Sequence, residues 1–146
     1  MVNKKIVLRM LKKLEAKKGY ITPQEVVEEA RAVTSPIHTL FDWDNESAGE
    51  KYRLWQARML IADVKVELMG KETDAYYSAT IAVNNVPVRG YFSAEKVASD
   101  SEIYLSVIKT AVQELSYWKK KYKEIKELRD VVDLDKAKSA IQTLQQ

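Results

Sequence analysis

The chain lacks cysteine and has one histidine, four glycines and three prolines among its 146 residues. Without cysteine there is no disulfide and no thiolate metal ligand, which is consistent with a reducing compartment. A single histidine without soft partners excludes an ordinary zinc site. The scattered glycines form no phosphate-binding loop, no apolar run reaches membrane-spanning length, and no signal-peptide core is visible. We therefore expect no metal, no cofactor, no membrane contact and no enzymatic activity.

The composition is otherwise typical of a globular protein, with 46% hydrophobic and 31% charged residues and a net charge of +3. The charge is arranged in blocks: residues 1–20 hold seven cations and one acid, whereas residues 21–50 hold one cation and seven acids. Such blocks suit either a basic face for an anionic partner or neutralisation between neighbouring helices. We favour neutralisation for the acidic block and leave both interpretations open for the basic segments.

Helical spacing and capping signals predict the first two helices. An apolar stripe predicts a helix over about Lys4–Lys18, which ends at Gly19. The sequence Thr22-Pro23-Gln24-Glu25 is a capping box with proline at the first helical position, so it predicts a second helix. Pro36 disfavours helical backbone before it, and this helix is therefore expected to end before Ser35.

The loop after the second helix is rich in aromatic and acidic residues. We expect Phe41 and Trp43 to be largely buried, because a polar linker has no use for two large aromatic side chains. His38 is expected to close a polar turn rather than to act as a general base. The acids are Asp42, Asp44, Glu46 and Glu50, and although such a cluster suits a hard cation, helix capping and charge balance are the interpretation we favour.

A third helix is predicted from Ser47, which forms a capping box with Glu50, to about Ala62. One of its sides carries Tyr52, Trp55, Met59 and Ala62, joined by Leu54 and Ile61. After it the period changes from helical to two, which indicates strands at 64–68, 76–83 and 86–92, with a turn at 70–74 and a hairpin turn at Asn84-Asn85. Pro87 cannot donate to a strand ladder, so the last strand is expected at an edge. The pattern predicts a small three-stranded antiparallel sheet.

A long helix is predicted over about Glu102–Arg129, with a capping box formed by Ser99 and Glu102. Its apolar residues follow a heptad: Tyr104, Ile108, Ala111, Leu115, Trp118, Tyr122 and Ile125. We favour a mixed interpretation, in which the first half of this seam packs within the chain and the second half projects and forms a homo-oligomer contact, most simply a two-fold dimer. The alternative is that the whole seam packs on the chain's own sheet or helices. Asp133 is expected to cap a last helix. The fold class is thus α+β, with one domain over residues 1–129 and a helical tail over 130–146.

The predicted element order is that of a winged helix-turn-helix: a helix, a short extended connector, a second helix, a cationic helix and a hairpin. In that interpretation the DNA contacts come from the third helix and the wing, and the candidates are Lys51, Arg53, Gln56, Arg58 and Lys71. The connector at residues 33–46 is long for such a motif and the net charge is low. The alternative is an ordinary helical packing unit with a solvated basic face. A basic run at residues 119–129 is interleaved with Tyr117, Trp118 and Tyr122. It suits either a nucleic-acid contact through stacking and charge or a solvated face near a helix C-terminus.

Three runs of the sequence form a distinctive motif: Ile21-Thr22-Pro23-Gln24-Glu25-Val26-Val27-Glu28-Glu29-Ala30-Arg31, then Ser35-Pro36-Ile37-His38 with Phe41-Asp42-Trp43-Asp44, then Tyr52-Arg53-Leu54-Trp55-Gln56-Ala57-Arg58. This motif resembles a family of small phage and prophage proteins over residues 21–62, and the rest of the chain is similar to it only in layout. The resemblance implies a bacterial-virus context, in the host cytoplasm or a virion. It implies no particular activity.

The sequence therefore predicts a non-enzymatic phage accessory protein that binds DNA and associates with itself. The alternative is a structural or assembly adaptor that binds only other proteins, from the phage or the host.

Overall fold

The computed structural model describes residues 2–46 and 49–146, which form an α+β fold. Its helices are α1 (Lys4–Lys18), α2 (Pro23–Arg31), α3 (Glu50–Asp63), α4 (Ala94–Ser99), α5 (Ser101–Lys121) and α6 (Leu134–Leu144). Its strands are β1 (Lys65–Leu68), β2 (Lys71–Asp74), β3 (Tyr76–Val83) and β4 (Val86–Ser93), and short 3-10 turns lie at His38–Leu40 and Lys126–Leu128. None of the described helices is long and apolar enough to cross a membrane.

The first two helices begin and end where the local signals predict. Gly19 follows α1 with a φ of 92°, and its N–H donates to the carbonyl of Glu15. Thr22 and Glu25 form both hydrogen bonds of the predicted capping box. The third helix begins later than predicted, at Glu50 after Gly49 and without a side-chain cap. Ser47, the other half of the predicted capping box, lies outside the described residues.

The strands form two separate hairpins, so the predicted three-stranded sheet is wrong. Residues 71–74, expected as a turn, are strand β2 and pair with β1. The turn between them is Met69-Gly70, both with positive φ, and such a two-residue turn closes a hairpin directly. In the second hairpin Asn84-Asn85 has positive φ at both positions and joins β3 to β4, as predicted.

Each outer edge of the second hairpin meets another part of the chain. On the β4 side Tyr91 and Ile21 exchange backbone hydrogen bonds of 2.8 and 2.9 Å. Pro87, four residues before Tyr91, falls on this same outer edge. Proline has no N–H, and at this position none is needed for pairing with β3. On the β3 side α5 covers the edge, because Ser106 accepts from the N–H of Thr80 and Glu102 from that of Ala82.

Most of the buried apolar side chains that the structure describes fall into two clusters. The larger joins α1, α2 and α3 with the start of the strands, and its fully buried members include Leu11, Val26, Val27 and Ile61. The smaller joins β3 and β4 to α4 and α5 around Phe92. The two are tied by the buried carboxylate of Glu15, which accepts from the N–H of Ser93 at 2.7 Å.

The basic first helix and the acidic second helix meet at one ion pair, between Lys18 and Glu25. The hydrogen bond from Lys18 to Glu25 is the largest influence on the pKa of Lys18 and raises it above its usual value. Neutralisation between the charge blocks thus occurs at this contact, while Arg9 and Lys12 of α1 are exposed.

The predicted helix over 102–129 is wrong at both its cap and its end. Asp100, not Ser99, is the N-cap, because its carboxylate accepts from the N–H groups of Glu102 and Ile103. The helix stops at Lys121, so Ile125 of the predicted seam lies beyond it. Asp133 caps α6 as predicted, and α6 packs on α5, where Lys119 donates to the carbonyl of Val132 at 2.8 Å.

Candidate functional site

The loop between α2 and α3 is held by three aromatic rings and one arginine, which we call the loop cluster (His38, Phe41, Trp43 and Arg53). Phe41 is buried, as predicted, and Trp43 is half-buried. The rings of Trp43 and His38 stack at 5.0 Å, and the Trp43 indole N–H donates to the His38 carbonyl at 2.8 Å. His38 Nδ1 lies 2.7 Å from the Ala30 carbonyl, which only accepts, so Nδ1 carries the proton. The histidine therefore anchors the loop.

Arg53 belongs to this cluster, which corrects its assignment as a DNA contact. Its side chain is buried, and the residue is only 5% exposed. The guanidinium donates to the Asp42 carbonyl, to Asn45 and to Glu50, and it lies 5.4 Å from the Trp43 ring. Gln56 is also engaged, since its side-chain oxygen accepts from the N–H of Asp42 at 3.3 Å. Both residues fix the loop to α3, and Arg53 has no free surface for a base.

The acids of the loop make local hydrogen bonds. The Asp42 carboxylate accepts from the N–H of Asp44, and that of Asp44 accepts from Glu46. Desolvation raises the pKa of Glu50, but hydrogen bonds from Arg53 and Arg31 outweigh it, so this pKa lies below its usual value. Within residues 2–46 and 49–146, no three acidic or histidine side chains are grouped so as to hold a metal ion.

The solvent side of α3 is apolar, and we call it the α3 face (Tyr52, Trp55 and Met59). These side chains share one side of the helix, as predicted, but it is the side opposite the core, and Ile61, which the spacing predicts beside them, is buried on the core side. They are 45%, 50% and 45% exposed, whereas Arg53, Ala57 and Ile61 form the buried side. The Tyr52 and Trp55 rings stack at 5.7 Å. The packing of the described residues therefore leaves three large side chains in contact with solvent.

A largely apolar groove of about 460 Å³ runs beside the α3 face. Its lining joins α3 to the 3-10 turn through Leu40, Trp55, Met59 and Leu60, with Gln56 and Asp63 at its polar rim. Leu40 reaches this position because the loop cluster holds the residues on either side of it. The loop that seemed too long for a helix-turn-helix thus supplies one wall of a groove.

A second, polar cleft of about 350 Å³ lies on the other flank of α3, and we call it the basic cleft. Arg58 of α3 and Arg89 of β4 line it, together with residues 22–24 at the start of α2. Arg89 donates to Ser78, and no carboxylate of the described residues lies within ion-pair distance of either arginine. Sequence reasoning missed Arg89, because only the β3–β4 register and the Ile21 bridge bring β4 beside α3.

Two of the remaining DNA candidates are exposed at separate places. Lys51 lies in the first turn of α3, close to the α3 face, and its side chain is exposed. Lys71 lies at the turn end of the first hairpin and lines neither the groove nor the basic cleft. Of the five predicted contacts, only Lys51 and Arg58 therefore share an accessible part of one helix.

The α5–α6 hairpin also carries exposed apolar side chains. Within the predicted seam Tyr104 and Leu115 are exposed, Ala111 is exposed, and Ile108, Trp118 and Tyr122 are half-buried. Trp118 and Tyr122 contact each other at 5.2 Å, and Ile125 is exposed after the helix end. No described residue of α6 is buried, although Leu134, Ala137, Ile141 and Leu144 recur at helical spacing. The hairpin therefore has an incomplete core of its own.

Comparison with models of known protein families, with curated proteins and with solved structures gave no match to this chain.

Proposed function

We propose that this protein is a non-enzymatic adaptor that binds another protein through the α3 face and associates with itself through the α5–α6 hairpin. The observation that carries the proposal is the exposure of Tyr52, Trp55 and Met59 on one side of α3. Large exposed apolar patches rimmed by polar residues are typical of interaction sites. Tryptophan, tyrosine, methionine and arginine are also the residue types enriched in protein interfaces.

The chemistry of the α3 face favours protein over duplex DNA. A recognition helix presents hydrogen-bonding side chains to base edges in the major groove. Here the centre of the exposed side is apolar, and Arg53 and Gln56 are engaged in the loop. An apolar face beside an apolar groove instead suits a partner helix whose own apolar side is buried on binding.

Self-association is supported by the uncovered hairpin. Helices of about 11 residues have marginal stability unless an apolar face is packed, and α6 has 11 residues with none of its described side chains buried. Two such hairpins packed together form a four-helix arrangement in which each covers the apolar residues of the other. A two-fold dimer is the simplest closed form.

The proposal predicts that Trp55 is an energetic centre of binding. A displayed library of peptides about 16 residues long, roughly four helical turns, is selected on the wild-type protein. We expect peptides with apolar residues at helical spacing, and we expect Trp55→Ala to weaken their binding about 30-fold or more, as for other interface hot spots. Fluorescence anisotropy measures the dissociation constants.

The control is Tyr117→Ala, which removes an aromatic that is 72% exposed on α5, away from the α3 face. It is expected to bind the same peptides as tightly as wild type. Selection of no peptide, or of peptides that bind Trp55→Ala equally well, would contradict the adaptor function.

DNA binding is the second candidate, and the basic cleft favours it. The Ile21–Tyr91 bridge joins the connector after α1 to the second hairpin, in keeping with a winged element order, and Lys51, Arg58 and Arg89 are accessible.

If this function holds, Lys51→Gln with Arg58→Gln lowers the salt slope of duplex binding by about 2, one for each lost phosphate contact. Lys136→Gln with Lys138→Gln on α6 is the matched control. A wild type without affinity for DNA at low salt removes this candidate.

The biological context is proposed from the resemblance of residues 21–62 to phage and prophage proteins. It places the adaptor in the host cytoplasm or in a virion, where its partner is a phage or host protein.

A further inference from the structure

We propose that the partner segment bound by the α3 face is an amphipathic helix with acidic residues along one edge. This inference rests on the proposed adaptor function and names the chemistry of its partner. Three features of the surface carry it: the α3 face, the apolar groove and the basic cleft, each of which includes residues of α3.

The length and shape of the surface fit a helix. The 14 residues of α3 extend about 21 Å at 1.5 Å per residue, so a partner helix of similar length covers the whole face. The groove of about 460 Å³ beside Trp55 and Met59 is shallow and open, so apolar side chains of a partner helix can pack against its surface. Helices that bind in this way place residues i, i+3, i+4 and i+7 in the groove.

The two flanks of α3 differ in charge, and this difference predicts which edge of the partner helix carries acidic residues. On one flank Arg58 and Arg89 line the basic cleft, and Lys51 is exposed nearby on the same helix. On the other flank Asp63 is at the groove rim, where it pairs with Lys4. A helix lying along α3 therefore meets, at the basic-cleft edge, cations without an ion-pair partner among the described residues, whereas Lys4 at the groove edge is paired with Asp63. Carboxylates at the basic-cleft edge complement those cations.

The peptides selected on the wild-type protein supply the test. We expect glutamate and aspartate to be enriched along one edge of the peptide helix, adjacent to its apolar side. Arg58→Gln with Arg89→Gln is expected to weaken the best peptide about five- to tenfold, because exposed ion pairs each contribute modestly. The difference is expected to shrink as salt is raised.

Two further variants isolate the charge effect. Arg9→Gln with Lys12→Gln removes the same charge from exposed positions of α1, and it is expected to leave peptide binding unchanged. Arg58→Lys with Arg89→Lys keeps the charge, and because exposed ion pairs depend mainly on charge and contribute modestly, it is expected to retain binding within about twofold. Circular dichroism of all variants checks that the fold is intact.

The outcomes separate the inference from the proposed function. Two results overturn the acidic-edge inference and leave the adaptor function standing. In the first, the peptides depend on Trp55 but lack an acidic edge. In the second, they bind the Arg58→Gln, Arg89→Gln variant as tightly as wild type. Absence of any Trp55-dependent peptide overturns both. Binding of a duplex oligonucleotide, but of no peptide, through the same two arginines also overturns the inference.

Discussion

Phe41→Ala is expected to lower the free energy of unfolding by about 3–5 kcal/mol, the usual loss when a buried phenylalanine is truncated. Phe41 is buried in the larger core cluster and lies 5.7 Å from the ring of Trp43, so its removal leaves a cavity beneath the loop cluster. Urea denaturation followed by circular dichroism measures the change. Because Leu40 is the adjacent residue, we also expect the variant to lose peptide binding at the apolar groove.

Val33→Ala is the matched control in the same loop. Val33 is 83% exposed, and exposed substitutions of this kind usually change stability by less than about 0.5 kcal/mol. A Phe41→Ala loss no larger than that of Val33→Ala would contradict the role of the loop cluster as an anchor.

Tyr104→Glu with Leu115→Glu is expected to convert the self-associated protein into a folded monomer. Both side chains are exposed on the seam of α5, one on each side of the half-buried Ile108. Two carboxylates in an apolar interface cost several kcal/mol in total when unpaired, which corresponds to a dissociation constant raised about 100-fold or more. Sedimentation equilibrium at micromolar protein measures the shift in mass.

Tyr117→Glu separates the seam from the helix as a whole. It introduces a single carboxylate into α5 at an exposed position outside the heptad, and it is expected to leave the mass of the oligomer unchanged. A wild-type protein that sediments as a monomer, or a seam variant that keeps the wild-type mass, would contradict self-association through the α5–α6 hairpin.

Local signals in the sequence are sufficient for α1, α2 and the Asn84-Asn85 hairpin, because their caps and turn residues act within a few positions. The first hairpin is not predicted, because it lacks such local signals. Its turn places Met69 at a positive φ, which is uncommon outside glycine and asparagine, and β2 is polar, so neither signalled a strand pair. The end of α5 was overestimated because the heptad spacing continues to Ile125 after the helix has stopped at Lys121.

The candidate site required tertiary information. The burial of Phe41 followed from its place in the loop, but the burial of Arg53 depends on the Asp42 carbonyl, the Asn45 and Glu50 side chains and the Trp43 ring. Helical spacing grouped Tyr52, Trp55 and Met59 correctly but wrongly added Ile61, which is buried. Spacing alone also does not decide whether an apolar side faces the core or solvent. Arg89 joins Arg58 only through strand register and the Ile21 bridge.

The most direct test of the α3 face as a protein-binding surface is an NMR titration of the isotope-labelled protein with the tightest peptide selected on wild type. The account predicts that the largest amide shift changes fall in α3 and in the 3-10 turn at His38–Leu40, the two elements that border the groove. Changes confined to α1, to the first hairpin or to the α5–α6 hairpin, with α3 unaffected, would contradict it.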